Sequence, residues 1–189
     1  VTSGEIGDPC IFHILNRDPE VPAMEFMETS GGMFMVMTIH DFDMARYQMG
    51  DVDEVYASGN VLIEPELKEF DDIDTSLVTL KFVNGAIGVI DNSRQAVYGY
   101  DQRLEVFCSQ GTALAENDRE NVALKGNRAG FHSSRIPHFF MDRYANCYIE
   151  EIRQFVRCVR EDKPVPVNGE DGRAAVVLGL AAMKSLQAN

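Results

Sequence analysis

Apolar and polar positions divide the chain into three stretches of different period. Residues 10–15 (CIFHIL) form a short apolar run of strand length, closed by the turn-rich Asn16-Arg17-Asp18-Pro19. Residues 33–49, between Ser30-Gly31-Gly32 and Gly50, read as one helix. Its Met33, Phe34, Met35, Met37, Ile39, Phe42, Met44 and Met49 cover more than one face, which predicts a helix held between two layers. The middle of the chain then alternates. A strand is expected over 53–63, and 75–83 and 86–92 flank Asn84-Gly85, the pair that favours a type I′ hairpin turn. In that register Phe82 faces Ile87 and Leu80 faces Val89, all on one side of the sheet. A long strand over 96–108 carries Tyr98, Tyr100, Leu104 and Val106 in phase. Gln110-Gly111 makes a second turn, 112–116 a further strand, and 122–124 a weak one.

The last third returns to a helical period. Residues 142–161 place Tyr144, Tyr148, Ile152, Phe155 and Val159 three or four positions apart against a charged back of Arg143, Glu150, Arg153 and Arg157. An extended connector, Lys163-Pro164-Val165-Pro166, leads to Asn168-Gly169-Glu170-Asp171 and a final Ala- and Leu-rich helix over 172–187. Strand, helix, meandering strands, helix, helix is an α+β order. It predicts an open, mostly antiparallel sheet with helices packed on one face, as a single domain over 1–189.

Composition narrows the function classes. With 17 Lys and Arg against 30 Asp and Glu among 189 residues, the net charge of −13 disfavours phosphate backbones and anionic lipid, so neither nucleic acid nor a membrane surface is expected as a partner. No long apolar window and no signal pattern occurs, so a cytoplasmic location is expected. The sequence starts at Val1, not Met, and need not begin where translation began. Cys10, Cys108, Cys147 and Cys158 lack C-x-x-C or zinc-ligand spacing and read as buried free thiols, so no metal is expected.

Motif chemistry is sparse. There is no G-x-G-x-x-G, no phosphate loop and no nucleophile elbow. His40 lies within the helical pattern with Val36 and Met44 a turn away and Asp43 on its face; it is either a core histidine satisfied locally or a working imidazole. His13, His132 and His138 have no metal-site spacing. Residues 69–74 (EFDDID) read as a solvated acidic loop, without the glycine and spacing of a calcium loop. Tyr98 and Tyr100, two apart on the expected strand, share a face, where they either meet a polar ligand or cap the sheet.

Several stretches together are similar to a known family. Gly4-x-Ile6-Gly7, Ser30-Gly31-Gly32, Thr38-Ile39-His40-Asp41-Phe42-Asp43, residues 88–94 (GVIDNSR) and Tyr98-Gly99-Tyr100-Asp101 resemble the C-terminal domain of inositol 2-dehydrogenases. These belong to the glucose-fructose oxidoreductase, inositol dehydrogenase and rhizopine catabolism family. Arg143-Tyr144, Tyr148, Glu151, Phe155 and Glu170-Asp171-Gly172 carry the likeness almost to the end. The resemblance implies the second half of a two-domain oxidoreductase. Its N-terminal Rossmann domain, absent here, would bind NAD or NADP and supply a catalytic lysine; this half would shape a polyol or sugar pocket and assemble as a homo-oligomer through its sheet. It implies a catalytic role for His40 and substrate contacts from Asn16, Arg17 and Tyr100, with Tyr98 as the lesser choice. The acid that the family sets four residues before the histidine is here Val36, which cannot accept a hydrogen bond. Asn16-Arg17-Asp18 stands where the relatives often read His-Arg-Asn. The competing implications are a degenerate, non-catalytic assembly or ligand-sensing module, or an enzyme rebuilt for another sugar or diol.

Overall fold

The structure, a computed structural model, describes residues 3–189. In chain order the elements are β1 (Pro9–Arg17), α1 (Met24–Ser30), α2 (Met33–Val36), α3 (Thr38–Met49), β2 (Val52–Asn60), β3 (Thr75–Phe82), β4 (Ile87–Ser93), β5 (Asp101–Cys108), β6 (Gly111–Ala115), β7 (Leu124–Asn127), β8 (Gly130–Ser133), α4 (Phe140–Glu161) and α5 (Gly169–Ala188). The α+β order stands. Six strands form an open sheet in the order β2-β3-β4-β1-β5-β6, and β7-β8 make a separate hairpin.

The sheet is mixed, not a simple meander. β1 lies between β4 and β5, parallel to the first and antiparallel to the second. The first strand thereby brings the turn-rich end Asn16-Arg17-Asp18 to the middle of the sheet. Phe12 and Ile14 of β1, Val78, Leu80 and Phe82 of β3, Ile90 of β4 and Val106 of β5 point to the helix side, and meet Met33, Phe34, Phe42, Ala45 and Met49 from α2 and α3 and Leu178 and Ala182 from α5. Alternate residues of each strand face away, as a two-residue period requires.

Local chemistry moved several expected boundaries. The helix expected over 33–49 breaks at Met37, with α2 ending at Val36 and α3 starting at Thr38. The β3–β4 turn has positive φ only at Gly85; Gly85 N donates to Phe82 O and Phe82 N to Ala86 O. A three-residue loop, not a type I′ turn, therefore joins the strands. Lys81 consequently pairs with Ile87 and Leu80 with Gly88, one residue off the expected register. A one-residue slip reverses every side chain, so Ile87 and Val89 turn to the outer face while Phe82 and Leu80 stay in the core.

Residues 96–100 lie outside any strand, with a turn at Val97-Tyr98, and β5 begins at Asp101, so Tyr98 and Tyr100 do not share a strand face. The acidic stretch 69–74 is no solvated loop either. Asp72 and Asp74 are buried: Asp72 pairs with Arg94 and accepts from Met33 N, and Asp74 accepts from the backbone N–H groups of Leu62, Ile63 and Glu64. The four cysteines are free, yet only Cys108 and Cys158 are buried; Cys147 is exposed.

Candidate functional site

Three neighbouring strands each present one amide to the helix side at the same level. Asn16 of β1 stands opposite Asn92 of β4 on one side and Gln102 of β5 on the other. All three donate to one carboxyl group, Asp41 in the first turn of α3. Asn16 Nδ2 lies 3.1 Å from both Asp41 oxygens, Asn92 Nδ2 2.8 Å from Oδ2, and Gln102 Nε2 3.4 Å from Oδ1. Thr38 Oγ1 donates to Asn92 Oδ1 at 2.7 Å and fixes that amide. The chain extends outward through Gln102, whose Oε1 accepts from the Tyr100 hydroxyl at 3.0 Å. Tyr100 in turn packs edge-on against Tyr144 of α4, ring centroids 6.0 Å apart.

Burial sets the electrostatics of this row. Asp41 is 1% exposed, and no cation donates to it among the described residues. Burial raises its pKa, the three amides only partly oppose this, and it is pushed up to about 7. Burial likewise holds the Tyr100 and Tyr144 phenols above the ordinary tyrosine range. Asp18, just past β1, is raised by burial and drawn back by the Arg94 guanidinium.

The residues marked from sequence separate into three places. His40, one position before Asp41, is exposed, and its ring has no hydrogen-bond partner among the described residues. It is not a core histidine; its expected support from Asp43 is not formed. Val36 ends α2, across the break at Met37 from His40. Asn16 and Tyr100 belong to the amide row. Both are buried, Asn16 at 4% and Tyr100 at 8% exposure, and Asn16 holds Asp41 from within. Asn16 Oδ1 has no hydrogen-bond partner among the described residues.

Arg17 and Tyr98 lie elsewhere, because alternation sends Arg17 to the opposite face from Asn16. Arg17 forms an ion pair with Asp91 at 2.7 Å, and the Tyr98 hydroxyl donates to Asp101 Oδ2 at 2.7 Å while sitting 3.5 Å from Arg17. They line a shallow cleft with Thr75, Leu77 and Gln95, away from the amide row. Asp41, Asn92, Gln102 and Tyr144 were not marked as site residues from sequence, although all but Gln102 lie in stretches that carry the family likeness. The available signal for Asp41 was an acid beside His40 in an apolar helix; the amides carried none, since only strand register aligns them.

No group of three or more His, Cys, Asp or Glu able to hold a metal occurs among the described residues. None of the helices there is long and apolar enough to cross a membrane.

A mixed open sheet with helices on one face, and a histidine presented beside a buried carboxyl-amide row, define an α+β domain with one internal polar row. The chain belongs to the GFO/IDH/MocA family, whose C-terminal domain model matches residues 1–114. It is 50% identical over 188 residues to myo-inositol 2-dehydrogenase of Thermotoga maritima, covering 99% of this chain and 56% of that protein. It is 38% identical to inositol 2-dehydrogenase of Rhizobium meliloti, covering 98% and 57%. A crystal structure of a probable dehydrogenase from Thermotoga maritima superposes with TM-score 0.96 at 49% identity, covering 99% of this chain and 56% of the other. That of scyllo-inositol dehydrogenase from Lactobacillus casei with bound NAD(H) and scyllo-inositol does so with TM-score 0.90 at 25% identity, covering 100% and 57%. The chain thus spans little more than half the length of these relatives and matches their C-terminal part.

Proposed function

We propose that this domain forms the substrate side of an NAD(P)-dependent oxidoreductase that oxidises a polyol such as myo-inositol to a ketone, joined to a nucleotide-binding half. The observation that carries the reading is the placement of His40: solvent-facing, unpaired, and anchored one residue away by a carboxyl that three strands hold. An imidazole so displayed can take or relay the proton of a substrate hydroxyl, and we assign the Tyr100 phenol, at the outer end of the amide row, to orient the polyol. This chain has no glycine-rich dinucleotide cradle, so the nicotinamide, which supplies the hydride acceptor when bound, is assigned to the other half.

The flank of α4 supports a second half. Phe140, Tyr148, Ile152, Phe155 and Val159 are exposed along one amphipathic helix of which only Cys158 is buried, a surface that asks for a cover. The outer sheet face carries exposed Ile11, Ile87 and Phe107 at adjacent register positions, and we assign that patch to a homo-oligomer contact.

The test is the full-length protein with myo-inositol and NAD or NADP, followed at the reduced nicotinamide. His40→Ala is expected to lower kcat on the order of 100-fold; unchanged turnover removes His40 from the chemistry. A second reading has a specific observation behind it: Val36 stands where the relatives' motif places an acid. A full-length protein that binds polyol without reducing nicotinamide would make it a sensing or assembly module.

A further inference from the structure

We propose that Asp41, acting through Gln102, sets whether the Tyr100 hydroxyl accepts or donates a hydrogen bond to the bound polyol, which makes Asp41 a positioning residue. The inference rests on the polyol reading above and deepens it. As drawn in the structure, Gln102 gives its NH₂ to Asp41 and its carbonyl to Tyr100, so the phenolic proton is committed inward. Tyr100 then offers only lone pairs outward, and the negative charge polarises the chain to make that oxygen a stronger acceptor.

Protonation of Asp41 reverses the row. A carboxylic acid has a proton to donate, and the Gln102 amide can turn to receive it on Oε1, presenting its NH₂ to the Tyr100 oxygen. The phenolic proton is then free for the ligand. One proton is taken up from solvent, and no bond other than hydrogen bonds changes. The competing amides are less able to turn. Asn92 is held by Thr38 on its carbonyl side. Turning Asn16 would place N–H groups where an unpartnered buried carbonyl now sits, whereas turning Gln102 keeps every bond of the row.

The switch falls in the neutral range because burial pushes Asp41 up to about 7. The charged and titratable groups around it and its relay are Asp18 at the end of β1, with Arg94 beside it after β4, the phenols of Tyr100 before β5 and Tyr144 on α4, and Arg143 of α4, which donates to Gln102 O at 3.1 Å and lies over the Tyr144 ring. None of them hydrogen-bonds Asp41 among the described residues. His40, its neighbour on α3, faces solvent.

The experiment is the pH dependence of KM for myo-inositol in the full-length protein, with kcat recorded alongside. The expected wild-type result is a KM at about pH 8 at least about threefold below that at about pH 6, because the Tyr100 oxygen polarised by the Asp41 charge is the stronger partner for a polyol hydroxyl. Asp41→Asn abolishes the step. Should that variant fail to fold, Gln102→Leu, which leaves Asp41 and its other two donors in place, must also give a KM flat with pH. A step of wild-type size in Gln102→Leu, or no step in the wild type, overturns the inference while leaving the polyol reading intact. A full-length protein that neither binds nor oxidises myo-inositol or scyllo-inositol overturns both.

Discussion

At the scale of single residues, two buried acids with opposite environments set the pH behaviour of the domain. Burial raises the pKa of Asp41 and its amide donors only partly oppose this, so its folded pKa lies above its unfolded value. The stability linked to Asp41 is fully present below about pH 4 and is lost as pH rises through about 7. A shift of that size corresponds to about 4 kcal/mol. Urea unfolding of wild type and Asp41→Asn is therefore expected to diverge with pH, the variant lacking this decline between about pH 4 and about pH 7. Asp74 is the reverse case. Burial alone would raise its pKa, but the N–H groups of Leu62, Glu64 and Ile63 and the Thr75 hydroxyl more than offset this and bring it below the carboxylate range. Its contribution is present above the unfolded pKa and vanishes as pH falls through the folded one. Arg94, 0% exposed, depends on Asp72 at 3.0 Å. Asp72→Ala leaves that guanidinium buried without its carboxylate, and chemical denaturation is expected to read a loss of about 3–5 kcal/mol. Neither Asp72 nor Asp74 announced itself in the sequence, where both lie in a run that reads as a solvated loop; what reverses that reading is a donor more than ten residues away.

At the scale of elements, the placement of Val36 and His40 depends on how closely α5 lies on α2. A Cβ on Gly179 would come 3.1 Å from Phe34 O and 2.8 Å from Met35 Sδ. Alanine there gains about 1 kcal/mol of helix propensity, but overpacking against backbone costs about 1–3 kcal/mol. Thermal melting of Gly179→Ala is therefore expected to show a net loss, with α2 displaced toward solvent. The helical periods of α4 and α5 were legible in the chain, as was a helix start near Asn168, where the structure forms a capping box with Asp171. The break at Met37 was not, since methionine is a good helix former. Nor was the β7–β8 hairpin, whose strands are exposed along their whole length and so carry no two-residue apolar signal. The Asn84-Gly85 turn shows how a correct hairpin can carry a wrong register: the turn residues favour two loop lengths, which differ in whether Gly88 and Ile90 or Ile87 and Val89 of β4 join Phe82 and Leu80 on the buried face.

At the scale of the whole molecule, the exposed flank of α4 is where the proposed second half is tested. Ile152→Ser with Phe155→Ser touches no core residue, so the isolated 189-residue chain is expected to keep its melting temperature and gain solubility. In the full-length protein the same pair is expected to lower it; equal melting temperatures there would show that nothing covers this face. Reduced nicotinamide cofactor is expected to leave the melting temperature of the isolated chain unchanged, because only a ligand that binds the folded form stabilises it.

By itself the sequence determined the α+β class, the helical and strand periods, the absence of a nucleotide loop and, through motif likeness, the family, all of which rest on local pattern. It also marked His40 and Tyr100, because an imidazole or a phenol in an apolar stretch stands out. The tertiary structure alone decided that β1 enters between β4 and β5, and from that insertion everything at the site follows. It aligns Asn92, Asn16 and Gln102 in one row on Asp41, sends Arg17 and Tyr98 to the other face, and leaves His40 in solvent. Amides on three strands, two of them more than seventy residues from the first, acquire a common function only when register sets them side by side; no local pattern encodes that distance.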